Sequence, residues 1–268
     1  MLASRLGDLS PARRRFVLAV LAVTLVLVGL GIALYVVKRD PGVQPVSQRE
    51  PGPVVLVPGY GGSTAGLEVL GDALEQAGRD VSIVRPPGDG TGDLREQAVV
   101  LDEAVRAAIE RSGASSADVV GYSAGGVVAR VWVRDLGGGD LARRVVTLGS
   151  PQHGTDVAGL ASDVTPDTCP AACRQLAPDS DLLRRLNAGD ETPAGPLWVS
   201  IWTQDDTTVV PPESASLDGA LDFSVQSVCP SLHVVHGDLP RDPTVIAMTI
   251  AELQPSTPEL PTQTVCAG

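Results

Sequence analysis

The chain has 268 residues, with 20 Lys and Arg against 32 Asp and Glu, a formal net charge of -12. The first 39 residues hold six of the basic residues and one of the acidic ones, which leaves 14 basic and 31 acidic residues, net -17, in the remainder. That balance excludes nucleic acid as a partner and opposes adhesion to anionic lipid. About 230 residues after the N-terminal segment suffice for one domain with a sizeable core.

Residues 1–15 form a basic N-terminus that includes Arg5, Arg13, Arg14 and Arg15. Residues 16–37, "FVLAVLAVTLVLVGLGIALYVV", carry no charge. As a helix this run would be about 33 Å long, enough to cross a bilayer core. The stronger basic flank precedes it, which predicts that the N-terminus stays in the cytoplasm. The expectation is a transmembrane signal anchor, with a cleaved signal peptide as the alternative; the apolar core is longer than a signal peptide needs and no clear A-x-A site follows. Either way the rest of the chain is exported, anchored or secreted. Residues 38–52 are a Pro-rich linker.

Next comes Val54-Val55-Leu56-Val57, an unbroken aliphatic run that suits a strand buried on both faces. A helix is predicted over Glu68 to Ala77, a strand over Val81 to Val84, and a loop at "PPGDGTGD". Leu94 to Arg111 has apolar residues at helical spacing and ends at Ser112-Gly113. Asp118 to Gly121 reads as a strand, Gly125 to Leu136 as a helix and Arg144 to Leu148 as a strand. Residues 151–178 read as a long loop, Asp179 to Asn187 as a short helix, and Leu197 to Trp202 and Leu232 to Val235 as late strands. Asp242-Pro243 offers an N-cap and a first-turn proline for a last helix reaching about Leu253. Residues 53–254 make the domain, and 255–268 form an irregular tail. Strands alternating with helices imply an α/β fold with a mainly parallel central sheet.

Cys169, Cys173, Cys229 and Cys266 are an even set in an exported chain, which reads as two disulfides. Cys169 and Cys173, in "CPAAC", are close enough to pair, so Cys229 and Cys266 would tie down the tail. A zinc site would need two close pairs or nearby histidines, so no metal is expected.

Gly121-Tyr122-Ser123-Ala124-Gly125 is a G-x-S-x-G pattern. The bare pattern is cheap in a chain with 29 glycines, and Gly61 to Ala65 nearly repeats it. Its setting is informative. A buried-type strand runs into Ser123 and a helix pattern starts just after, the context of a nucleophile elbow. The plain alternative is a tight turn with a helix-capping serine. A serine needs a base, and the chain has only His153, His233 and His236. Position near the end of the chain favours His236, just beyond Leu232 to Val235, over His233 within that stretch. His153, in "GSPQHGT", comes too early and either lines the pocket or is a loop residue. The acid should follow a strand and precede the histidine. Asp205 and Asp206 qualify, and the D-x-x-V spacing of Asp206 to Val209 favours Asp206. A carboxylate there would fix the imidazole tautomer. Backbone N–H groups of Ala124 and of Tyr60, in "VLVPGYGG", would form an oxyanion hole. A phosphate-binding reading of that Gly-rich turn lacks the G-x-G-x-x-G order and a following Lys-Ser/Thr.

Together "VLVPGYGG", "DVVGYSAGG", "TLGSPQHGT", "SIWTQDDTTVVPPESA" and "HGDLPRDPTV" resemble small, lidless secreted bacterial lipases and esterases of the α/β-hydrolase superfamily, including the actinobacterial triacylglycerol lipase group, over about residues 53–253. The resemblance implies a minimal α/β-hydrolase fold with a six-stranded sheet, helices on both faces and no large cap domain. It implies hydrolysis of acyl or lipid esters without a cofactor, with Ser123, Asp206 and His236 as the triad and Tyr60 and Ala124 as oxyanion donors. Pro58 and Tyr122 stand where the family usually carries histidine. The rival readings are an acyltransferase acting on cell-envelope lipids and a catalytically silent envelope protein on the same scaffold.

Overall fold

The computed structural model describes residues 11–38 and 43–267, which fall into an N-terminal unit ending at Val43 and a second unit from Gln44 onward. The N-terminal unit contains helix α1, Pro11–Lys38. Its longest unbroken run of described side chains, Ala19 to Gly29, is exposed. Among the described residues no helix is long and apolar enough to cross a membrane. The expected transmembrane anchor is therefore not supported among the described residues; several side chains of residues 16–37 lie outside them.

The second unit is built on a six-stranded, wholly parallel sheet: β1 (Val54–Val57), β2 (Val81–Ile83), β3 (Ala117–Tyr122), β4 (Ala142–Leu148), β5 (Leu197–Trp202) and β6 (Leu221–Ser224). The spatial order is β2-β1-β3-β4-β5-β6. Successive strand residues point to opposite faces, and the core divides accordingly. Val55, Val57, Val119 and Val145 face helices α3 (Leu94–Ser112) and α4 (Ala124–Asp135). Val54, Leu56, Val120 and Val146 face α2 (Ala65–Gln76) and a C-terminal helix, Pro243–Glu252. Helices therefore cover both faces, as the alternating pattern requires.

Local chemistry sets many of the boundaries. The Asp93 carboxylate accepts the Arg95 N–H at the start of α3, and Gly113 ends that helix in the left-handed region, at φ +69°. Asp242 accepts from the Thr244 and Val245 N–H groups at the last helix, with Pro243 in its first turn.

Two stretches differ from the sequence expectation. Residues 151–178 are not one loop: they hold α5 (Asp156–Val164) and α6 (Ala171–Gln175), followed by α7 (Asp181–Leu186). Leu232 to Val235 is not a strand. The Val234 carbonyl accepts the Thr203 hydroxyl at 2.6 Å instead of a ladder N–H, and Val235 is 50% exposed. The sixth strand is β6, whose half-polar "LDFS" sits at the sheet edge and lacks the continuous apolar run of the inner strands. It leads into α8 (Val225–Val228), and the last helix is α9 (Pro243–Glu252).

Cys169 pairs with Cys173 and Cys229 with Cys266, which fastens the tail beside α8. A charged cluster closes the N-terminal edge of the sheet. The fully buried Asp118 receives Arg143 in two parallel bonds, at 2.8 and 2.6 Å, and Arg79 at 2.5 Å. Arg79 and Arg143 also donate to the Leu253 carbonyl, and Arg144 donates to the Glu252 and Ser256 carbonyls. These bonds satisfy the open C-terminal end of α9, where cations oppose the negative end of the helix dipole.

Candidate active site

β3 delivers Ser123 to the C-terminal edge of the sheet. Its φ is +52°, and it is the one non-glycine residue with positive φ among those described. Such a conformation is strained for a side chain with a Cβ and persists only where its surroundings enforce it. Close approach explains the glycines around it. A Cβ on Gly121 would lie 2.5 Å from the Gly126 N, one on Gly125 would strike the Val57 carbonyl, and one on Gly126 would strike the Ser150 hydroxyl. The turn is thereby wedged between β1, the start of α4 and the end of β4. Ser123 occupies the N-cap position of α4, yet its hydroxyl makes no capping bond. The helix-cap reading of this serine does not hold.

The hydroxyl meets a histidine instead. Ser123 Oγ lies 3.0 Å from His236 Nε2, and His236 Nδ1 lies 2.7 Å from Asp206 Oδ2. Asp206 and His236 are 5% and 7% exposed. Oδ1 of Asp206 accepts the backbone N–H groups of Thr208 and Val209, both at 2.8 Å. The D-x-x-V spacing thus has a structural meaning, because the turn it forms holds the carboxylate by its rear oxygen and leaves the other for imidazole. With the Nδ1 proton directed at Asp206, Nε2 is free to accept the serine proton.

The other candidates settle elsewhere. Asp205 and His233 pair with each other at 3.0 Å, with the His233 side chain 86% exposed. His153 pairs with Glu191 at 2.9 Å on the surface and touches no triad member. Ala124 is the first residue of α4, where an N–H has no partner within its own helix. The Tyr60 loop borders the serine: a Cβ on Gly59 would come within 2.9 Å of Ser123 Cβ and 3.4 Å of its Oγ. Among the described residues neither the Tyr60 nor the Ala124 N–H donates to a protein acceptor. A surface cleft of about 410 Å³, lined by Asp93, Arg95, Arg174, Gln175, Ser180 and Asp181, shares no residue with this constellation. The site is identified by its side-chain geometry.

Sequence reasoning passes over Gly149 and, though it notes Tyr122 in place of the usual histidine, gives that residue no role. Gly149 ends β4 at φ +55°, and a Cβ there would strike Leu239 and lie 3.3 Å from His236 Nδ1. A glycine closing a buried strand was its only signal. Tyr122 contacts the base directly, through atoms that no local pattern could place. Among the described residues no His, Cys, Asp and Glu group of three could hold a metal ion.

A parallel sheet in this strand order, with a serine on a strained strand-to-helix turn above its centre, is the α/β-hydrolase fold. A family model described as "alpha/beta hydrolase fold" matches residues 52–163, from β1 into α5. Solved structures agree. Aspergillus fumigatus lipase B superposes with a TM-score of 0.66 at 20% identity, covering 82% of this chain and 57% of that one. This chain thus spans little more than half the length of the fungal lipase. The mature form of Bacillus licheniformis lipase BlEst2 gives 0.60 at 17% identity, over 80% and 96% of the two chains. A structure of the metagenome-derived lipolytic enzymes LipS and LipT gives 0.56 at 17%, over 80% and 98%. At such identities the likeness speaks for the fold.

Proposed function

We propose that this protein is an exported serine hydrolase of carboxylic esters. The reading is carried by one observation: a serine in a strained turn, 3.0 Å from an imidazole that is itself 2.7 Å from a buried carboxylate. Ser123 Oγ attacks the ester carbonyl while His236 Nε2 takes its proton. Asp206 holds the tautomer and stabilises the imidazolium. The N–H groups of Tyr60 and Ala124 receive the oxyanion. Collapse of the tetrahedral species expels the alcohol, which takes the proton from His236, and leaves an acyl group on Ser123. Water, deprotonated by His236, then attacks the acyl carbonyl, and the acid leaves with the serine proton restored. No step calls on a cofactor. Between β4 and β5 three short α-helices and one 3-10 turn intervene among the described residues, so a shallow cleft and short or medium acyl chains fit best. The names of the similar solved proteins, a lipase in two of them, support an ester substrate. Two disulfides support export. The catalytic domain is residues 53–254, with a 255–268 tail held by Cys266.

The test uses the purified, oxidised chain with p-nitrophenyl esters of rising acyl length, beside Ser123→Ala. The wild type should turn over, and the variant should lose at least about a thousandfold in kcat. A folded wild type with no turnover on any ester and no labelling of Ser123 by a fluorophosphonate would overturn the reading.

A further inference from the structure

His236 sits on a segment without regular strand pairing, so something other than a sheet must set its position. One side is tied to the acid turn. Thr203 donates to the Val234 carbonyl at 2.6 Å, Gln226 donates to the Leu232 carbonyl at 3.2 Å, and Asp206 holds the imidazole. None of these bonds reaches the nucleophile. They fix base to acid and leave the distance from base to serine undetermined.

Tyr122 supplies the missing tie. It is the last residue of β3 and the immediate neighbour of Ser123. Its hydroxyl donates to the backbone carbonyl of His236 at 3.2 Å, across 114 residues of sequence. Its ring centre lies 5.2 Å from the imidazole centre, with the planes tilted by 36°. One side chain thus grips the backbone of the base and rests against its ring, while its own backbone continues into the nucleophile's turn. Burial, and then the negative charge of Asp206, push the phenol up to about 12. The group stays a protonated donor throughout the range in which the protein would work.

We propose that Tyr122 is a positioning residue for the base: it locks the His236 segment to the end of β3, so that Nε2 falls on Ser123 Oγ. The role goes beyond the triad itself and rests on the ester-hydrolase reading. It makes a specific demand. Removing the hydroxyl should leave the imidazole–carboxylate pair and the substrate cleft in place and loosen only the Ser123–His236 approach. The rate of serine attack should fall while substrate affinity holds.

The experiment compares the wild type with Tyr122→Phe in p-nitrophenyl butyrate hydrolysis and in the rate of inactivation by a fluorophosphonate. The second reaction measures attack by Ser123 without depending on an acyl cleft. Loss of one hydrogen bond predicts a fall of about three- to tenfold in kcat and in the inactivation rate, with KM essentially unchanged and the melting temperature lowered by no more than a few degrees. A second, near-isosteric replacement of Tyr122 by 3,5-difluorotyrosine lowers the phenol's pKa. Because a phenolate cannot donate, kcat should acquire a new alkaline limb absent from the wild type. Wild-type rates in Tyr122→Phe, a change confined to KM, or no new limb in the fluorinated protein would each overturn the role. An inactive, unlabelled wild type would remove both the hydrolase reading and this role. An active wild type matched by Tyr122→Phe would remove this role alone.

Discussion

Asp118 and Asp206 are both buried aspartates, one at the N-terminal edge of the sheet and the other beyond its C-terminal edge. Their partners separate them. Asp118 meets two guanidiniums, groups that keep their protons under any condition a protein survives. Asp206 meets one imidazole and two backbone N–H groups. The first cluster is a fixed charge that ties β3 and β4 to the end of α9. The second presents a partner whose proton can move. On the proposed reading, a carboxylate in a dry site is structural where its partners are guanidiniums and reactive where its partner is an imidazole.

The comparison can be broken at either end. Replacing Asp206 with Asn should remove the stabilisation of the imidazolium and favour the wrong tautomer, lowering kcat about a thousandfold or more with little change in stability; ester kinetics beside a urea titration would check both. Asp118→Asn should do the reverse. With Arg143 buried and no longer neutralised, stability should fall by about 3 kcal/mol or more in urea unfolding, while the molecules that remain folded keep their turnover.

Glu252 sharpens the contrast at the structural end. Burial, partly offset by Arg144 and reinforced by Glu259, raises its carboxyl from 4.5 to about 7. The folded chain therefore retains a proton that the unfolded chain releases. The stability this contributes is complete below about pH 4.5 and is lost as pH rises through 7. Glu252→Gln should remove that dependence, and relative to the wild type it should gain on the order of 2 kcal/mol at pH 8 and almost nothing at pH 4. Melting curves of both proteins across that range would reveal it.

The smallest effect is expected at the second Asp–His pair. Asp205 and His233 lie 3.0 Å apart, but His233 is nearly bare to solvent, where an ion pair contributes little. His233→Ala should change kcat less than about twofold and stability by under about 0.5 kcal/mol. A loss comparable to that of Asp206→Asn would mean that the wrong pair has been assigned to the serine.

Much of this architecture was written locally. A run such as Val54 to Val57 announces a strand because burial on both faces demands continuous apolar residues. Asp93, Gly113 and Asp242 announce helix ends because they satisfy backbone groups within a few residues. The serine turn is legible for the same reason: strand, glycines and helix are contiguous. β6 and the helices of residues 156–175 were not legible, since an edge strand and short helices draw their stability from what they pack against and not from their own pattern.

The sequence by itself determined the α/β alternation, the serine turn and the candidate acid and base. These depend on periodicity and on interactions between near neighbours. Only the tertiary structure decided that Asp206 and not Asp205 meets His236, that His153 and His233 go to the surface, and that Tyr122 reaches the base while Asp118 gathers arginines. Each of those outcomes is a hydrogen bond or ion pair across some 25 to 114 residues. Distance along the chain carries no record of direction in space; that is set only when strands take their order in the sheet.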